Sequence, residues 1–132
     1  MTGRLSTADL ELLLGMNFGH FVTLNPDGSP HAAPVWIDAD ENHVLVNTAA
    51  GRVKDRNVRR DPRVAVSVHD QADPYRWISI SGTVVERTTD GADGHIDALN
   101  RRYHEGEPWK PTPGQERVIL RIRPDRIARS GG

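Results

Sequence analysis

At 132 residues the chain is long enough for one compact domain with a real core and too short for two. Its 17 basic and 18 acidic residues nearly cancel, which argues against a general affinity for nucleic acid or an anionic membrane and leaves ligand specificity to local charge. The absence of cysteine excludes disulfides, thiolate metal sites and a cysteine nucleophile.

The first segment, MTGRLSTADLELLLGM, has no long apolar run and carries acids among its leucines. It reads as neither a signal peptide nor a membrane span, so a soluble cytoplasmic protein is expected. Ser6 followed by Asp9 and then Leu10, Leu12, Leu13 and Leu14 predicts a capped amphipathic helix stopped by Gly15. His20 to Asn25 and Pro30 to Asp38 are apolar-rich runs joined by Pro26-Asp27-Gly28-Ser29, a strong hairpin signal. Further short strands are expected at Asn42 to Thr48, Arg63 to His69 and Arg76 to Arg87. Ile96, Leu99 and Tyr103 form a helical stripe within Asp93 to Tyr103, and Val118 to Arg123 alternates as a sixth, half-exposed strand. The connections between strands are mostly too short for crossover helices, so the pattern favours a small antiparallel barrel over a doubly wound sheet. Residues His104 to Gln115, rich in proline and glycine, form a loop that is either a lid or a plain surface connection.

The segment with the most chemistry is Asn47 to Arg63, NTAAGRVKDRNVRRDPR. It places a small-residue turn, Arg52, Lys54, Arg56 and Asn57 directly behind a strand. Backbone N–H groups opening a short helix, with cations beside them, can hold a phosphate. The same spacing also suits an ordinary solvated basic helix. Pro34 marks its strand as an edge, because proline cannot donate to a ladder. The six histidines show no HExxH or HxH pattern, so no metal site is expected. Gly-x-Ser-x-Gly, Walker and GxGxxG motifs are absent, which disfavours hydrolase, nucleotidase and Rossmann readings.

Four stretches, FVTLNPDGSPHAAPVW, VNTAAGRVKDRNVRRDPRVAVSV, YRWISISGTVVE and VILRIRPDRI, together resemble the actinobacterial split-barrel proteins of the pyridoxamine 5'-phosphate oxidase-like superfamily, in particular the group that uses the deazaflavin coenzyme F420. The resemblance runs nearly end to end and implies one domain over residues 1–132. It implies a mainly β (α+β) fold, a six-stranded antiparallel split β-barrel of the FMN-binding type with a few short helices. It further implies a homodimer with the cofactor at the subunit interface. On the same resemblance Arg52 and Lys54 would be the primary phosphate ligands, with Asn57 supporting from the next helical turn. Asn47 and Thr48 would bond the ribityl chain or phosphate, although both residue types also serve local turns. Pro34, Val35 and Trp36 would pass beneath the ring system, and Trp77 would reach the cofactor of the partner subunit. Trp36 and Trp77 could equally be core or interface aromatics.

In such proteins the reactive atom belongs to the cofactor, so no catalytic side chain is expected. The implied function is a reductase that passes hydride from reduced coenzyme F420 to an unsaturated, conjugated small molecule. FMN is the alternative cofactor, giving an FMN-dependent oxidase or reductase, because ring, ribityl chain and phosphate are common to both. A flavin-binding protein without turnover and a haem-binding split barrel are the remaining readings, the latter without a compelling axial histidine.

Overall fold

Ser6 caps the first helix, α1 (Thr7–Leu14), and a full capping box forms: the Ser6 hydroxyl accepts from the Asp9 N–H while the Asp9 carboxylate accepts from the Ser6 N–H. The computed structural model describes residues 3–104 and 109–130. Strands β1 (Phe18–Leu24) and β2 (Pro30–Trp36) form the expected hairpin, with Leu24 opposite Pro30 across the Asp-Gly turn and Gly28 at a positive φ of 86°. Then come β3 (Asp38–Ala39), β4 (Val44–Ala49), α2 (Val53–Arg60), β5 (Arg63–His69), β6 (Trp77–Thr88), α3 (Ala92–Tyr103) and β7 (Arg117–Arg129).

All the strands join one antiparallel sheet in the order β2-β1-β5-β6-β7-β4-β3, curled into the split barrel. Its β2 edge is the one Pro34 marks. The sheet has seven strands rather than the six expected, because the run read as Pro30 to Asp38 breaks at Ile37. There the backbone leaves the ladder: the Ile37 N–H donates to the Tyr103 hydroxyl at 3.1 Å, and the Ile37 carbonyl accepts from Arg102 Nη1 at 2.9 Å. Helix α3 thus grips the chain where β2 ends and β3 begins.

Alternating strand positions send Phe21, Val44, Val46, Val66, Val68, Ile80, Leu120 and Ile122 inward, and Leu12 and Leu13 of α1 close one side of this core. The C-terminal strand is tied to α1 by Arg129, whose Nη2 donates to the buried Asp9 carboxylate at 2.7 Å. Burial alone would raise the Asp9 carboxyl, but hydrogen bonds from Arg129 and Ser6 outweigh it and hold the group below its usual value.

Strand β7 extends past the expected end at Arg123, with Pro124 opposite Gly82 at an irregularity in the β6–β7 ladder, the kind of position at which a strand tolerates proline. Gly82 is required there by close approach: a Cβ at this position would lie 2.6 Å from the Arg123 carbonyl oxygen. Gly82→Ala is expected to destabilise the fold by about 1–3 kcal/mol, the usual cost of forcing backbone apart in a packed region. Urea unfolding measures this, and an unchanged midpoint would show that the two strands can separate freely.

Candidate functional site

The register of β4 with β7 sets Ala49 opposite Arg117, so the start of β7 lies beside the point where β4 turns into α2. Gly51, at φ 88°, makes that turn and donates its N–H to the Asp55 carboxylate at 2.8 Å. Asp55 is fully buried and takes a bidentate grip from Arg87, at 2.7 and 3.0 Å. With its carboxylate fixed, the first turn of α2 carries Arg52 and Lys54 towards Arg117.

These three cations share the wall of a cavity of about 320 Å³ with Phe18, Pro34, Val35, Trp36, Asn47, Thr48, Ile96 and Trp109. Its size is within the range of small-molecule and cofactor pockets, roughly 300–1,000 Å³. No carboxylate forms an ion pair with Arg52, Lys54 or Arg117 among the described residues. Burial, and then the charges of Arg52 and Arg117, hold the Lys54 ammonium below its usual value. Arg117 is lowered in the same way, by burial first and by Arg52 second. Lys54 and Arg117 thus sit beside like charge, and such a cluster gains from an anion. Beside it the Thr48 hydroxyl is buried with no hydrogen-bond partner among the described residues, a donor pointed at nothing in the protein.

The same lining also carries the aromatic side chains of Phe18, Trp36 and Trp109. Trp36 stacks on Tyr103, with ring centroids 5.4 Å apart and planes 9° from parallel, and meets His104 edge-on. Tyr103 is itself pinned, its hydroxyl donating to the Asn17 carbonyl at 2.7 Å. Trp109 adds a second indole, and the Trp109 backbone N–H donates to Asp97 Oδ1 at 3.1 Å, anchoring that part of the loop to α3. Positions 105–108 of the same loop lie outside the described residues.

The cavity therefore brings together Pro34, Val35, Trp36, Asn47, Thr48, Arg52 and Lys54, all singled out from the sequence, and leaves out Asn57 and Trp77. The Asn57 amide is consumed inside the fold, donating to Thr23 Oγ1 and Asn25 Oδ1 and accepting from Arg60 Nη2. It locks α2 onto β1 instead of facing a ligand. Arg60 completes that lock by donating to the Leu24 carbonyl at 2.6 Å. Trp77 opens β6 beside Ala8, Leu12, Arg76 and Arg129, away from the cavity, with 38% of its surface exposed. Asn47 lines the cavity but spends both ends of its amide on the protein: Nδ2 donates to the Ala92 carbonyl and Oδ1 accepts from Arg117 Nε, each at 2.9 Å.

Phe18, Ile96, Trp109 and Arg117 were not singled out from the sequence as site residues. For Arg117 the available signal was a basic residue at the head of the last strand, which acquires meaning only once β7 is known to pair with β4. Among the described residues no cluster of histidine and carboxylate side chains could hold a metal ion.

Two outcomes follow from this arrangement. Lys54→Ala is expected to weaken binding of a phosphorylated ligand by about 1.5–3 kcal/mol, the range for charged hydrogen bonds, without changing thermal unfolding; an unaltered calorimetric affinity would remove Lys54 from the site. The second concerns Asp38, whose carboxyl burial would raise but which hydrogen bonds from His95 and Arg102 push down to about 2. Because its folded value is below the ordinary 3.8, this group stabilises the fold above about pH 4 and loses that contribution as pH falls towards 2. Acid unfolding of Asp38→Asn is therefore expected to be shallower than that of the parent across this window, and parallel curves would show that the pairing contributes nothing.

The family model for pyridoxamine 5'-phosphate oxidase matches residues 5–130 of the chain. Among solved structures, the chain is similar to an F420 reductase, with 32% identity over 89% of this chain and 94% of that one and a TM-score of 0.80. It is also similar to a conserved hypothetical protein from Mycobacterium tuberculosis, with 23% identity, coverage of 95% and 84%, and a TM-score of 0.73. General Stress Protein 26 from Bacillus anthracis shares 19% identity, with coverage of 91% and 88% and a TM-score of 0.67. The last two likenesses establish the fold alone. With nearly its whole length matched, the chain belongs to the pyridoxamine 5'-phosphate oxidase family.

Proposed function

We propose that this protein is a coenzyme F420-dependent reductase acting on an unsaturated, conjugated small molecule. The observation that carries the reading is one cavity whose lining divides by chemistry into three cations without carboxylate partners, with the orphaned Thr48 hydroxyl, and the aromatic side chains of Phe18, Trp36 and Trp109. A molecule with a planar ring at one end and a phosphate at the other fits that division. The likeness to an F420 reductase supports the deazaflavin as that molecule.

Arg52, Lys54 and Arg117 would hold the phosphate, Arg by its two-pronged geometry and Lys as a mobile point charge. Thr48 would donate its hydroxyl to a phosphate or ribityl oxygen. Pro34 to Trp36 would lie under the ring, where the edge strand β2 still has backbone groups unspent on a ladder neighbour. When bound, coenzyme F420 supplies a hydride donor at ring carbon 5. The chain's task is to bind, to orient and to keep water from the ring face, with Trp36 and Trp109 as the apolar walls.

The reading includes a cytoplasmic homodimer in which a second copy completes the site, and the exposed Trp77 and Tyr75 side chains are consistent with a surface that another chain covers. No helix among the described residues is long and apolar enough to cross a membrane. FMN is the second reading, favoured by the match to the pyridoxamine 5'-phosphate oxidase family as a whole.

Titration of the purified apoprotein with coenzyme F420 and with FMN separates the two. Tighter binding of coenzyme F420, together with oxidation of its reduced form by a conjugated acceptor, is the expected result. Preference for FMN would move the protein to the flavin enzymes, and binding without turnover would make it a carrier. Sedimentation velocity is expected to return a dimer, and a monomer that binds coenzyme F420 with full affinity would refute the shared site.

A further inference from the structure

Behind the cation wall, a line of hydrogen bonds crosses the molecule from Arg102 to Arg117. Arg102 Nη2 donates to Asp38 Oδ1 at 2.8 Å, and His95 Nε2 meets the other oxygen, Asp38 Oδ2, at 2.9 Å. His95 Nδ1 faces Asn47 Nδ2 at 3.1 Å, and Asn47 Oδ1 faces Arg117 Nε at 2.9 Å. His95 does not line the cavity; its ring lies behind Asn47, 12% exposed. We propose that His95 is a positioning residue, which holds Arg117 in its anion-binding orientation by fixing the Asn47 amide. This rests on the reading of the cavity as a phosphate site.

The chemistry of each link determines the next. The Asp38 carboxylate accepts only, so the proton of the His95 ring is on Nε2. Nδ1 is then a bare acceptor and takes a hydrogen from the Asn47 amide nitrogen. The second hydrogen of that nitrogen goes to the Ala92 carbonyl at 2.9 Å. Oδ1 is thereby turned to Arg117, the one neighbour that can only donate. Reversing the Asn47 amide would set N–H against N–H at Arg117 and oxygen against acceptors at His95 and Ala92.

Arg117 needs such a tether because Arg52 and Lys54 repel it towards solvent. Its Nε is spent on Asn47 and its Nη1 on Gln115 at 3.2 Å, which leaves Nη2 without a protein partner among the described residues. That is the arrangement of a guanidinium held by one edge and presented by the other. The carboxylate of Asp93 also acts on Arg117 from the start of α3 without pairing with it, so it attracts without orienting.

The test combines ligand titration with an observation that needs no ligand. His95→Ala is expected to weaken coenzyme F420 or FMN binding roughly five- to tenfold, the size of one lost hydrogen bond. In an Arg117→Ala background the same change is expected to alter affinity less than twofold, because its effect runs through the missing guanidinium. His95→Asn, whose Oδ1 stands where Nδ1 stood, is expected to restore most of the affinity. Equal losses in both backgrounds would assign His95 to general support of α3 and overturn the proposal. In the unliganded protein, nitrogen NMR is expected to find the His95 proton on Nε2 and a protected Arg117 Nε–H that is lost in His95→Ala. A proton on Nδ1, or an unchanged Arg117 signal, would overturn the proposal whether or not either variant folds well or any cofactor binds. If neither cofactor binds while the NMR result is as expected, the cofactor reading fails and the tether stands.

Discussion

Three cations held together without a carboxylate partner are the constraint around which this structure is arranged. Left to themselves Arg52, Lys54 and Arg117 would spread into solvent, as repulsion between like charges and the cost of burial both demand. They remain together because the two elements that carry them are separately anchored. The first turn of α2 is pinned through Gly51, Asp55 and Arg87, and the head of β7 is pinned by its ladder with β4 and by Asn47. Buried pairing elsewhere supports the strain at the site. The unpaired state of the cluster is then a property of the folded chain, ready to be relieved by an anion.

The acidic residues divide the work accordingly. Asp9, Asp38 and Asp55 are each turned to a structural cation, Arg129, Arg102 and Arg87 respectively, and none lines the cavity. Near-neutral total charge is thus a poor guide to local field: the carboxylates neutralise the scaffold, and the excess positive charge is concentrated where a ligand can reach it. The aromatic part of the lining is assembled from distant segments, Phe18 from β1, Trp36 from β2 and Trp109 from the loop after α3, with Phe18 and Trp36 both packed on the Tyr103 ring.

Local chemistry in this chain was legible from the sequence wherever the determinant was itself local. The Ser6–Asp9 capping box, the Asp27-Gly28 hairpin and the strand at Arg63–His69 follow from residues a few positions apart, and so does the placing of Arg52 and Lys54 at the head of a helix. What escaped depends on partners far along the chain. Ile37 leaves the ladder because Tyr103 and Arg102 capture its backbone, and β7 continues past Pro124, which lies opposite Gly82 at an irregularity of the β6–β7 ladder where the two strands approach closely. Arg117 joins the site only through the β4–β7 register, while Asn57, beside Lys54 on α2, is drawn away by Thr23 and Asn25. Polar residues near a site are therefore the hardest to assign from spacing, since the fold can use the same amide for structure or for a ligand.

The central claim is that one cavity holds a phosphate against Arg52, Lys54 and Arg117 and a flat ring against the Pro34–Trp36 strand. A crystal structure of the protein with coenzyme F420 tests it most directly. The account predicts phosphate oxygens within hydrogen-bond distance of all three cations and of the Thr48 hydroxyl, with the ring over Pro34 to Trp36. A phosphate bound elsewhere, for example along the exposed Arg56 and Arg59 face of α2, with the cation cluster left facing solvent, would contradict it.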